Sequence, residues 1–213
     1  MTLPPSAATP TPHLTFVPGA AGLATFWQPV ADHLPAAWPR AFVDLPGLGG
    51  VPADPAVGSY DDLVEHVAAR ITQPTVLVGQ SMGGYLAMAV ALRYPARVSH
   101  LVLSVASGGL DMASLGATDW RTDYRESYPQ AAAWATDRVP DLSPQLPALA
   151  MPLLLVWATR DVISPLAVAH RLTALIPSAA CMSIDTDDHW VARAFPAETA
   201  AAIIGLVAPR ATR

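Results

Sequence analysis

Three residue types that together perform nucleophilic catalysis occur at Ser81, Asp161 and His189. A serine hydroxyl is a poor nucleophile at neutral pH unless a base within hydrogen-bond reach accepts its proton. That base in turn needs an acid that fixes its tautomer and its orientation. The three residues therefore predict acyl transfer by a serine nucleophile, a histidine base and an aspartate acid.

Ser81 lies in the stretch Thr75–Gly84, which reads TVLVGQSMGG. Thr75–Val78 is a β-branched, apolar run too short for a helix, so it is typical of a buried strand. The residues after Gly83 are strong helix formers with an apolar majority. A strand, a serine between two glycines and a helix together predict a sharp turn that lifts the hydroxyl above the sheet edge. The alternative interpretation is a glycine-rich loop that only lets the helix pack.

The acid and the base are each expected just beyond a strand. Asp161 follows the fifth predicted strand and His189 follows the sixth. Because ligands of parallel α/β sheets bind at the carboxyl ends of the strands, we expect both side chains to meet Ser81 there. The other histidines lie near the N-terminus, inside predicted helices or at a strand start. Asp111, after the fourth predicted strand, is the alternative acid.

Two backbone N–H groups are expected to stabilise the negative charge that develops on a carbonyl oxygen under attack. One belongs to Met82, which directly follows the serine. The other comes from the loop Pro18–Gly22, PGAAG, where Ala20 is the preferred donor. A small-residue loop before a helix also suits a phosphate, but its spacing is not that of a dinucleotide-binding motif.

The segment 110–147, between the fourth and fifth predicted strands, is rich in aromatic residues. It is expected to form two short helices, over 117–127 and 129–137, that cover an apolar pocket as a lid. A surface helix pair is the alternative interpretation. The aromatic residues expected to line the pocket are Trp27, Trp120, Tyr124, Trp134 and Trp190.

Arg121 and Arg125 lie four residues apart, on one face of the first of these helices. If they point into the pocket, they predict a substrate that bears a carboxylate. If they face solvent, a simple ester is the expected substrate. The sequence alone leaves both orientations open.

Composition predicts one α/β domain. The chain has 213 residues, of which 52% are hydrophobic and 14% charged, which suits a buried parallel sheet with helices on both faces. We expect a disordered tail over 1–12 and a doubly wound, mostly parallel sheet of about six strands within 13–213.

Several partners and chemistries are excluded on the same basis. A net charge of −5 without any basic run argues against nucleic acid. The apolar stretches are too short to cross a bilayer and no secretory signal is present, so we expect a cytoplasmic location. Cys181 is the only cysteine, which excludes an internal disulfide and a CxxC metal site. The chain has no lysine, which excludes a lysine Schiff base. We expect neither a cofactor nor a metal, and the oligomeric state stays open.

From Leu14 to Val207 the chain resembles the α/β-hydrolase superfamily. The matching motifs are FVPGAAG at 16–22, DLPGLG at 44–49, GQSMGG at 79–84, RD at 160–161 and DHW at 188–190. Within the superfamily it is similar to small single-domain esterases, such as pimeloyl methyl ester esterases, and to menaquinone-pathway lyases. The resemblance implies the α/β-hydrolase fold with the three residues above as its triad.

Three departures from the family pattern stand out. Pro18 stands where the family usually has a histidine before the oxyanion glycine. The family's N-terminal hairpin is expected to be absent, because few residues precede the first predicted strand. Tyr85 stands where the lyases carry an arginine, which argues against the lyase function.

Three functions follow. The first is a serine hydrolase that cleaves small carboxylic esters or thioesters through an acyl-enzyme. The second is a lyase or C–C hydrolase that uses the same triad on a carboxylate-bearing substrate. The third is a non-catalytic protein that senses a ligand on the same fold.

Overall fold

The computed structural model describes residues 11–208. Of the predicted tail over 1–12, residues 1–10 lie outside the described residues. Within the described range, no helix is both long enough and apolar enough to span a membrane.

One sheet forms the centre of the molecule. Its strands are β1 (His13–Val17), β2 (Arg40–Phe42), β3 (Thr75–Gln80), β4 (Val98–Ser104), β5 (Leu153–Ala158) and β6 (Ala179–Ile184). All six are parallel and follow the order β2-β1-β3-β4-β5-β6. Every residue of β3 and β5 is buried, which is why β5 reads as a continuous apolar run and β3 as an apolar run over Val76–Val78. The predicted parallel sheet of about six strands is confirmed.

Seven α-helices accompany the sheet in residues 11–208. They are α1 (Gln28–Asp32), α2 (Tyr60–Ala69), α3 (Met82–Arg93), α4 (Arg121–Ser127), α5 (Leu166–Leu175), α6 (Val191–Ala194) and α7 (Pro196–Val207). One group packs α2 on α3 beside β3, and another packs α1 with α6 and α7. This grouping is typical of a doubly wound sheet with its core between the strands and two helix layers.

The connection between β4 and β5 is less helical than predicted. The first expected helix, over 117–127, begins only at Arg121. The second, over 129–137, is reduced to the 3-10 turn Ala133–Thr136. Pro129 explains why α4 ends where it does, because a proline disfavours helical backbone in the residue before it, and Tyr128 has φ −131° and ψ 65°.

Candidate active site

Ser81 occupies the sharp turn between β3 and α3, with a φ of +51°. Such a conformation is uncommon outside glycine, and its neighbours hold it in place. The Ser81 N–H donates to the Ser104 carbonyl at 2.8 Å. A Cβ on Gly79 would lie 2.4 Å from the Gly83 oxygen, and one on Gly83 would lie 2.1 Å from the Pro18 oxygen. The turn therefore excludes side chains at positions 79 and 83, two residues before and two residues after the serine.

Ser81, His189 and Asp161 form one hydrogen-bonded chain. His189 Nε2 lies 3.1 Å from Ser81 Oγ, and His189 Nδ1 lies 2.7 Å from Asp161 Oδ2. Because the carboxylate accepts from Nδ1–H, Nε2 is left to accept the serine proton. Asp161 is only 4% exposed, and its second oxygen accepts the Ile163 N–H at 2.8 Å. This is the arrangement that activates a serine hydroxyl.

The loops after β5 and β6, which carry the acid and the base, are bonded to each other. The guanidinium of Arg160 pairs with Asp185, and the backbone N–H of Arg160 donates to the Thr186 carbonyl at 2.9 Å. Gln80, the last residue of β3, donates its Nε2–H to the His189 carbonyl at 3.4 Å. These contacts fix the histidine loop against the loop after β5 and against the end of β3.

The loop with Ala20 lies against the serine turn, as the predicted oxyanion site requires. A Cβ on Gly19 would lie 3.3 Å from the Ser81 Cβ. Met82 is the first residue of α3, so its N–H has no partner within the helix. The assignment of the Met82 and Ala20 N–H groups as oxyanion donors stays a prediction.

Tyr124 from α4 ties the Ala20 loop to the rest of the molecule. Its hydroxyl donates to the Ala20 carbonyl at 2.8 Å and accepts the Gly49 N–H at 2.7 Å. Burial raises the pKa of Tyr124, so the phenol stays protonated at neutral pH. The sequence analysis assigned Tyr124 to the pocket wall, and the structure corrects this. Its partners are backbone groups far away in the chain, which no sequence pattern reveals.

Tyr124→Phe removes this bridge and keeps the ring. We expect kcat for a short neutral ester to fall about tenfold while KM changes less than about twofold, because a misplaced N–H donor acts on the transition state. Steady-state kinetics provide the measurement. Tyr128→Phe is the matched control, since its ring packs 5.0 Å from the Tyr124 ring in the same segment. An equal loss in both variants, or a change in KM alone, contradicts the bridge.

A cavity of about 390 Å³ opens beside Ser81 and His189. Of the aromatic residues expected to line it, only Trp120 does so. The charged residues on its wall are four aspartates and two arginines, Asp111, Asp119, Asp137, Asp141, Arg121 and Arg138. The wall is therefore mixed in polarity rather than apolar as expected. The density of acidic and arginine residues in 110–147 was the signal that could have shown it.

The remaining aromatic residues lie elsewhere. Trp27 is completely buried in the core, and its Nε1–H donates to the Val17 carbonyl at 2.9 Å. Trp134 packs edge-on against Tyr60, with ring centroids 5.5 Å apart. Trp190 is 49% exposed at the surface. A large ring fills a core as readily as it lines a pocket, so residue type alone did not distinguish core positions from pocket positions.

The two arginines of α4 are engaged within the protein. Arg121 lines the cavity, but its Nη1 pairs with Asp119 at 3.0 Å and its Nε donates to the Thr136 carbonyl at 3.0 Å. Arg125 turns to the Thr136 side chain, where its Nε donates to Oγ1 at 2.8 Å. Neither guanidinium is poised as a free binder of a substrate carboxylate.

Known proteins match this chain in sequence and in fold. The model of the "Alpha/beta hydrolase family" matches residues 16–117. A 2-hydroxy-6-oxononadienedioate/2-hydroxy-6-oxononatrienedioate hydrolase from Paraburkholderia phymatum is 26% identical over 223 aligned positions, covering 81% of this chain and 77% of that protein. A pimeloyl-[acyl-carrier protein] methyl ester esterase from Neisseria meningitidis is 39% identical over 82 residues, covering 38% and 31%.

A solved structure shows the same architecture. The thermophilic esterase from Thermogutta terrifontis superimposes with a TM-score of 0.74 at 22% identity, and the match covers 91% of this chain and 88% of that one. At that identity the likeness establishes the fold alone.

Proposed function

Because this chain belongs to the α/β-hydrolase superfamily, we propose that it is a serine hydrolase that cleaves small carboxylic esters or thioesters. The proposal rests on the hydrogen-bonded chain from Ser81 through His189 to Asp161. Ser81 and His189 line a cavity large enough for a small acyl ester.

The proposed reaction passes through an acyl-enzyme. Ser81 Oγ attacks the ester carbonyl while His189 Nε2 accepts its proton, and Asp161 stabilises the imidazolium that forms. The N–H groups of Met82 and Ala20 hold the oxyanion. His189 then protonates the leaving alcohol or thiol, and it activates the water that releases the acid.

The charges of the cavity favour ester cleavage over the carboxylate-dependent alternatives. A substrate with carboxylates needs cations that are free to bind it. Of the two arginines on the wall, Arg121 is already paired with Asp119, and Arg138 is the one without an ion pair within residues 11–208. The aspartates on the wall also outnumber its arginines. A lyase or C–C hydrolase that acts on an anionic substrate therefore fits this site less well.

Hydrolysis of short acyl esters in water enriched with ¹⁸O tests the proposal. We expect an initial burst of alcohol of about one equivalent per enzyme, followed by release of an acid that carries one solvent oxygen, because the acyl-enzyme is hydrolysed in a separate step. Rapid-mix product analysis and mass spectrometry of the acid measure both quantities. Acetyl and butyryl esters are expected to react faster than long-chain esters. No turnover in a broad screen of esters and thioesters contradicts the proposal.

A further inference from the structure

We propose that the cavity beside Ser81 selects esters that carry a positive charge, and that Asp111 and Asp141 provide this selection. The inference rests on the proposed ester hydrolysis and concerns which substrate class the same site accepts. Its basis is the distribution of charge on the wall, together with a buried hydroxyl that lacks a partner.

One of the two arginines on the wall, Arg121, is paired with Asp119 at 3.0 Å. Hydrogen bonds from the Arg121 N–H and guanidinium hold the pKa of Asp119 below its usual range, and the charge of Arg138 acts in the same direction. Asp119 thereby offsets the charge of Arg121, and Arg138 is the second cation on the wall. The remaining carboxylates, those of Asp111, Asp137 and Asp141, give the wall a surplus of negative charge.

Asp111 and Asp141 lie on two segments that touch each other. The Leu142 N–H donates to the Gly108 carbonyl at 3.1 Å, and a Cβ on Gly109 would lie 3.0 Å from the Asp141 Cα. The segment that leaves β4 and the segment before β5 thus bring both aspartates to the same part of the wall.

Neither carboxylate is neutralised by the protein. Asp141 accepts from the N–H and the hydroxyl of Ser143, both at 2.8 Å, and Asp111 accepts from the Ser114 N–H at 3.4 Å. These donors are uncharged. Across residues 11–208, no arginine or histidine lies within 4.0 Å of either carboxylate. A cleft lined by an excess of one sign attracts ligands of the opposite sign.

Ser164 is an independent sign of a polar occupant. It lines the same cavity and is only 2% exposed, yet its hydroxyl has no hydrogen-bond partner in the part of the chain that the structure describes. A buried hydroxyl without a partner is costly, and an apolar acyl chain would leave it unpaired. A substrate that carries a polar, cationic group therefore suits this wall better than one that carries only an apolar chain.

A pair of esters that differ only in charge tests the inference. Acetylcholine and 3,3-dimethylbutyl acetate have the same shape, with a cationic nitrogen in one and a carbon in the other. We expect kcat/KM for acetylcholine to be about tenfold higher at low ionic strength, since a close charge pair in water contributes about that order. The preference should shrink as salt is added, because salt screens exposed charges.

Two variants locate the source of the preference. Asp111→Asn and Asp141→Asn are each expected to lower the cationic-to-neutral ratio of kcat/KM about threefold. Asp123→Asn, which removes the same charge from α4 outside the cavity wall, is the matched control and should leave the ratio unchanged. The salt dependence of the wild-type enzyme provides a second readout that needs no variant.

Equal kcat/KM for the two esters, or a preference that salt does not reduce, overturns charge selection while ester hydrolysis stands. An equal loss of preference in Asp123→Asn overturns the assignment to the cavity aspartates. If neither ester is turned over while other short esters are, this inference alone fails; if no ester or thioester is turned over, the proposed hydrolase function fails with it.

Discussion

Ser81→Ala is expected to lower kcat for a short neutral ester about 10⁵- to 10⁶-fold, since the members of such a triad act as a unit. Without the Oγ that lies 3.1 Å from His189 Nε2, no acyl-enzyme can form. A small rate above that in water should remain, because the oxyanion donors and the cavity are intact. Initial rates with p-nitrophenyl acetate, corrected for buffer hydrolysis, measure the loss.

Ser104→Ala is the matched control for this substitution. Ser104 lies beside the serine turn, and its buried hydroxyl has no partner within residues 11–208, while its backbone carbonyl still accepts the Ser81 N–H. We expect its rate to stay within about threefold of the wild type, since no hydrogen bond is lost. If Ser81→Ala retained a rate comparable to that of Ser104→Ala, Ser81 would not be the nucleophile.

Asp161→Asn is expected to lower kcat about a thousandfold or more, because it favours the wrong tautomer of His189. An amide in place of the Oδ2 carboxylate oxygen, 2.7 Å from Nδ1, can donate to that nitrogen and move the ring proton to Nε2. His189 can then no longer accept the serine proton. Steady-state kinetics of the purified variant with the same ester give the measurement.

Asp111→Asn tests the alternative acid, because the sequence left open whether Asp161 or Asp111 orients the histidine. Asp111 lies on the cavity wall and is not bonded to His189, so its replacement should reduce kcat for the neutral ester by less than about tenfold. The opposite ranking, with the larger loss in Asp111→Asn, would move the acid to the end of β4.

The fold was predictable because burial and topology leave strong patterns in the sequence. β3 and β5 are buried along their whole length, so β5 and the middle of β3 read as apolar runs. Parallel strands bring their carboxyl ends to one edge, so residues that follow separate strands meet there. Ser81, Asp161 and His189 were singled out in this way, and the structure places them in hydrogen-bond contact.

The pocket was not predictable by the same reasoning. Trp27 and Trp134 were expected at the cavity, yet their rings pack inside the protein, because tertiary contacts decide where a ring points. The bridge made by Tyr124 joins backbone groups of two distant loops. Ser164 showed no local sign in the sequence that its hydroxyl would be buried without a partner. Irregular loops build these features, and loops carry little periodic signal.

Covalent labelling tests the central claim most directly. A fluorophosphonate probe should add one equivalent to the wild-type protein, and peptide mass spectrometry should place the adduct on Ser81, since only an activated serine attacks phosphorus readily. The adduct should be absent from Ser81→Ala. An adduct that persists in Ser81→Ala, or that maps to another residue of the wild-type protein, would contradict a nucleophile at this turn.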